Sequence, residues 1–309
     1  MGKRGEKMKK KKFLLISVLL VGLSSFPLPQ ALAKEAAFWQ DNLEEGWEYE
    51  DGATSQLKMS FKSVLDPTNP DQKVVPKDPD AVEVSSGYLT IDYVSNYRFG
   101  KHPVHKRADY YYPSYDIVSL GALTQQDLTS QGSHSLQLKM VPHFIQLTDD
   151  RRNSDNTPQK KGWKLCVLQE QVFESPTASL SDTSISLKNG HQATTSQDTQ
   201  TIPTLENDIS ITFNQMEPVW KAEQGQGYGT WLAYFGKQAT AEMQDIIKDK
   251  TSVPTDKLAY LNWLDESIPD NDSGVSMTIP KSEGLTDEGY ETTFSWIIDA
   301  SPNFEEPGL

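Results

Sequence analysis

One cysteine stands among 309 residues, which rules out an intramolecular disulfide. The fold must therefore be held by its core. Cys166 lies in an apolar alternation with no histidine or orienting partner nearby, so it reads as a small buried hydrophobe and not as a nucleophile. Positive charge is scarce, with 29 Lys and Arg against 43 Asp and Glu, a net of −14. Residues 1–33 hold seven of the basic residues and one acidic residue, so the chain after them carries 22 basic and 42 acidic residues, a net of −20. A surface that acidic repels nucleic acid and anionic lipid, which excludes binding driven by a phosphate backbone. Histidines number five. Only His102 and His105 have ligand-like spacing, and no third or fourth ligand accompanies them, so no metal site is expected. With Lys101, Lys106 and Arg107 they read as a surface loop, a positive island suited to weak contact with an acidic partner. Tyr110, Tyr111, Tyr112 and Tyr115 add aromatic faces close by.

Long hydrophobic runs are also missing. The longest, Phe13–Phe26, covers about 14 residues, short of the roughly 20 that a bilayer span needs. It follows a basic run that ends at Lys9–Lys12 and precedes Pro27, Pro29 and the small-residue site Ala31-Leu32-Ala33. That order predicts a secretory leader over 1–33, with Lys34 first in the mature chain and no membrane insertion after cleavage. No sorting signal is recognised at the C-terminus, so any attachment to a surface is expected to be non-covalent.

Residues 34–86 are acidic and without sustained period, and Pro67, Pro70, Pro76 and Pro79 stand among aspartates. This composition predicts a semi-rigid, polyproline-like spacer, with a single short strand expected at Gln56–Val64. A domain over 87–309 should then begin near Ser85. From Gly87 onward, short alternating segments between turn residues predict an all-β sandwich or barrel. Clear examples are Tyr88–Val94, Ser135–Val141, Phe144–Thr148 and Ile209–Phe213. Both parities of Trp163–Leu168 carry apolar residues, which predicts a strand buried between two layers. Residues 238–268 form the helical exception. Ala239, Met243, Ile246 and Ile247 recur at helical spacing, and Thr255 is placed to cap a second helix through Leu264. Packing against the sandwich is the expected fate of this passage, with a partner surface as the alternative.

Catalytic constellations are absent from the pattern. Asp149-Asp150 followed by Arg151-Arg152 offers two carboxylates, but neighbours on a strand point to opposite faces and cannot share a substrate as glycosidase acids do. Gly225-x-Gly227-x-Gly229 lacks the helix that a phosphate loop needs, and so predicts a tight connection. No Ser-His-Asp phrase or nucleotide loop appears, so neither a cofactor nor enzymatic activity is expected.

Two phrases stand out. The first runs from Val141-Pro142-His143-Phe144 through Asp149 to Gly162-Trp163-Lys164-Leu165; the second runs Gly289-Tyr290 to Phe294-Ser295-Trp296-Ile297-Ile298. Each sets a Trp two residues before a branched apolar residue in a β-type alternation. Together they resemble the WxL domain, a cell-surface module of Gram-positive bacteria, over about residues 87–302. The first motif matches fully, and the second has Ile298 where the family has Leu. The helical passage is then an insertion, since most family members are leaner there. The resemblance implies a secreted protein that binds the cell wall, through peptidoglycan, without a covalent link. It also implies a rival role as a protein–protein module, held at the surface by a co-encoded, membrane-tethered partner. The motif residues Trp163, Leu165, Trp296 and Ile298, supported by Asp149, Gly162 and Tyr290, are the candidate site. Whether the two indoles pack a core or meet a ligand is open from sequence.

Overall fold

The computed structural model describes residues 63–81, 87–102, 109–120, 137–195, 202–248, 250, 252–271, 273–280, 286 and 288–300. The chain divides into units Met1–Leu57 and Lys58–Leu309, and every described residue lies in the second. The expected leader and the strand expected at Gln56–Val64 fall outside this set, apart from Ser63 and Val64.

Among the described residues the architecture is all-β, in open antiparallel sheets with two short helices, and none of the sheets closes into a barrel. Sheet one has the order β1 (Leu65–Asp66), β2 (Asn69–Pro76), β5 (Asp116–Leu120), β6 (Gln137–Val141). Sheet two has the order β12 (Gly190–Thr194), β16 (Gly229–Phe235), β7 (His143–Asp149), β3 (Leu89–Val94). Sheet three runs β14 (Ile209–Ile211), β11 (Ser184–Leu187), β17 (Val275–Ile279), β4 (Asp109–Tyr111). Sheet four runs β13 (Thr204–Leu205), β15 (Met216–Ala222), β8 (Trp163–Gln169), β18 (Phe294–Asp299). A small ribbon pairs β9 (Phe173–Glu174) with β10 (Ser179–Leu180).

Apolar alternation sorts these sheets into layers. Ile145, Leu147, Trp231 and Phe235 of sheet two share one core with Ile185, Leu187, Val275 and Met277 of sheet three and with Trp163, Leu165, Val167 and Trp220 of sheet four. On its other face, sheet two presents Tyr93, Phe144 and Leu232 to Val74, Val118 and Val141 of sheet one. β7 is therefore covered on both faces, and all seven of its residues are buried. The strand expected to be buried at Trp163–Leu168 is enclosed on the parity of Trp163, Leu165 and Val167 and buried also at Cys166, while Lys164 and Leu168 are half-buried.

Helices α1 (Ala241–Lys248) and α2 (Lys257–Ser267) close the far side of sheet one, packing Ile247, Tyr260 and Leu264 on Ile117, Leu138 and Met140. The expected helical passage is thus present and packs on the body. Two details differ. The N-cap of α2 is Asp256, whose carboxylate accepts from the Ala259 amide at 3.0 Å, and Ile246 faces solvent. Gln244 of α1 reaches the edge strand β6, accepting from the Met140 amide at 2.9 Å and donating to the Met140 carbonyl at 2.8 Å. That covers a sheet edge that would otherwise offer itself to other chains.

The expected spacer is the largest departure. Residues 65–76 form a hairpin whose second strand pairs with β5, Val74 opposite Leu120 and Pro76 opposite Val118. Turn chemistry explains it: Asp66 accepts from the Thr68 amide at 2.9 Å, and Pro67 sits at the position where its fixed φ favours a turn. The aspartates here also have folded roles. Asp66 is fully buried against Lys139, and Asp78 takes Arg98 in two bonds of 2.9 Å each. Two buried titratable groups lie nearby. Burial pushes the Asp116 carboxyl up to about 6 despite bonds from Ser95 and Tyr93, and pushes the His143 imidazole down to about 3.

Candidate functional site

The two Trp phrases are strand neighbours. β18 lies antiparallel to β8, with Leu165 opposite Ile298, Val167 opposite Trp296 and Lys164 opposite Asp299. Directly opposed residues share a face, so Trp163, Leu165, Val167, Trp296 and Ile298 form one apolar patch. Trp163 is 1% exposed and Leu165 fully buried, while Trp296 and Ile298 are half-buried and lean on the same core.

Trp163 is fixed from three directions. Its Nε1 donates to the Gly227 carbonyl at 3.0 Å, which satisfies the polar edge of an otherwise apolar ring. Its ring meets Trp220 edge-on, centroids 5.2 Å apart at 86°. Gly227 has φ +72°, and a Cβ there would lie 2.5 Å from the indole nitrogen, so conformation and space both require glycine. The glycine triplet read as a tight connection is thus also the seat of the first tryptophan. The sequence held no signal for that pairing, because the two residues are 64 positions apart.

A second fixture ties the motif strands at one end. Arg151 donates to both carboxylate oxygens of Asp149 at 2.8 Å, to the Gly162 carbonyl at 2.6 Å and to the Ala300 carbonyl at 3.4 Å. Gly162 opens β8 and Ala300 follows β18, so a single guanidinium joins the start of one motif strand to the end of the other. Asp149 is fully buried, and the Arg151 side chain is 13% exposed. Asp150 points elsewhere, pairing with Arg152 at 2.9 Å and accepting from the Tyr228 hydroxyl at 2.9 Å. The two aspartates therefore serve different faces and share no site.

Tyr290 leans on the same core as Trp296 and Ile298. Its hydroxyl accepts from the Thr286 amide at 3.0 Å, in the loop that leads into β18. Of the histidine pair, His105 lies outside the described residues, and His102 places its ring 4.8 Å from that of Tyr111. Among the described residues no cluster of His, Cys, Asp or Glu could hold a metal ion.

A family model described as WxL domain surface cell wall-binding matches residues 49–302. The chain belongs to the WxL family. This places it among cell-surface, cell-wall-associated proteins. No curated protein and no solved structure matches the chain. The WxL match begins at residue 49, inside the stretch that composition had set aside as spacer, in keeping with the paired strands at 65–76. The first WxL tryptophan is thus inside the core, and the second is on a half-buried strand beside it.

Proposed function

We propose that this protein attaches itself to peptidoglycan without a covalent link, after export directed by residues 1–33. The family match over 49–302 carries the reading, since it supplies the wall-binding role that the acidic composition and the missing catalytic constellation leave open. With Trp163 enclosed, the contact with the wall falls to exposed groups on the framework that the motifs hold together. In a sedimentation assay the full exported chain, beginning at Lys34 by mass spectrometry, should go down with protein-stripped peptidoglycan. Hot detergent or a chaotrope should release it. Release only after enzymatic digestion of the wall would overturn the non-covalent link, and failure to sediment would overturn direct binding.

A second reading, a module held at the surface by a membrane-tethered partner protein, draws on one feature. Among the described residues β18 has a strand neighbour on one side only, and all six of its residues are half-buried. An edge of that kind can accept a strand from another chain. Retention on whole cells without retention on stripped peptidoglycan is the result this reading requires.

A further inference from the structure

We infer that the wall's glycan backbone, and not its stem peptide, is held in a cleft beside β4 and β17, on the side of sheet three that faces away from the core. The inference rests on the proposal that the chain binds peptidoglycan directly, and it assigns that binding to a place.

Alternation builds the cleft. Tyr111 turns inward to the core, while Tyr110 and Tyr112, one residue to either side, both line an open hollow of about 320 Å³. Tyr110 is 63% exposed, which is unusual for so large a ring. Two positions along an extended chain separate side chains by about 7 Å, a spacing that lets two rings follow one sugar unit. Register supplies the rest. Ser186 is paired with Ser276, and Thr278 with both Ser184 and Tyr110, so the outward face of these strands is made of hydroxyls beside aromatic rings. The inward face of the same strands is Ile185, Leu187, Val275 and Met277.

The rim is held in place. Asn189 has φ +50° and donates its side-chain amide to the Ser273 carbonyl, while the Lys188 backbone amide donates to the Gly274 carbonyl at 2.8 Å. Gly274 itself has no room for a side chain, since a Cβ would lie 2.3 Å from the Phe235 carbonyl oxygen. A fixed rim spends little ordering entropy when a ligand enters.

Charge selects the occupant. The chain carries 43 acidic residues, yet none of the described residues lining this hollow is one of them, and Lys188 is the single charged group among those described. A stem peptide offers an amine beside its carboxylates and no flat ring face for the tyrosines to stack on. A chain of acetamido sugars offers apolar ring faces for the tyrosines, and hydroxyls and amide carbonyls for the serines, Asn189 and Lys188. The lining matches the second chemistry.

The test compares the full exported chain with Tyr110→Ala on three probes: intact peptidoglycan, glycan strands stripped of stem peptides by an amidase, and soluble stem peptide as competitor. Wild type should sediment with intact and stripped glycan alike and resist the peptide competitor. Tyr110→Ala should bind both about tenfold more weakly, with an unchanged melting temperature because the ring is exposed. Lys188→Ala gives a second variant, expected to weaken binding several-fold in the same assay. Wild-type affinity in both variants, while wild type binds intact peptidoglycan, would overturn the cleft and leave direct wall binding standing. Loss of binding on stripped glycan together with displacement by stem peptide would overturn the choice of glycan. No binding of wild type to any probe would instead overturn the parent proposal.

Discussion

The two WxL motifs are spelled nearly alike and placed differently. Trp163 lies on β8, which has β15 on one side and β18 on the other, and it is enclosed with a satisfied indole nitrogen. Trp296 lies on β18 at the edge of the same sheet and stays half-buried. Burial is therefore set by where a strand sits in its sheet and not by the tripeptide. A central strand is covered on both flanks by neighbours' side chains, whereas an edge strand is covered on one. The mild departure at Ile298 falls on the edge strand, where an apolar residue of similar volume is most easily accommodated.

Four substitutions at three residues probe this contrast, from the largest effect to the smallest. Trp163→Ala should cost about 3–5 kcal/mol, since it leaves a large cavity, removes the edge-on contact with Trp220 and orphans the Gly227 carbonyl. That is enough to unfold a domain of ordinary stability, and a thermal melt would show it as a collapse of the transition. Arg151→Ala should cost about 3 kcal/mol by leaving the fully buried Asp149 carboxylate unpaired. Arg151→Lys should recover less than half of that, because an ammonium cannot span Asp149, Gly162 and Ala300 as the planar fork does. Full recovery in chemical denaturation would show that charge alone, and not the join between the motif strands, matters there. Trp296→Ala should cost only about 1–2 kcal/mol, in proportion to its half-burial. A loss equal to that of Trp163→Ala would break the contrast between centre and edge.

Much of the strand content was legible because alternation is a local property. Phe144–Thr148, Ile209–Ile211 and Val275–Ile279 all alternate, and all are strands. The partnering of strands was not legible, since register is decided by shape matching across long stretches of chain. Nothing local says that Leu165 faces Ile298 or that Gly227 seats Trp163. The prolines misled for a different reason. Composition over 66–80 speaks for an extended spacer, but Asp66-Pro67-Thr68-Asn69 is turn chemistry, and the hairpin it creates finds β5 to pair with. Within the helical passage, Ile246 and Ile247 look equivalent by type, and only the angle of α1 on sheet one decides that Ile247 is buried.

The pairing of β8 with β18 has a consequence for how the molecule comes to exist. Ser295 bonds Glu170, 125 positions away, so the first motif strand lacks one of its two neighbours until residues 294–299 have been made. Closing so long a loop is slow relative to local contacts. Until it closes, β8 presents a bare edge beside Leu165 and Val167, the kind of edge that invites pairing between copies. A product interrupted between residues 222 and 294 would keep that edge permanently. Synthesis of β18 and protection of β8 from self-association are, for this fold, the same event.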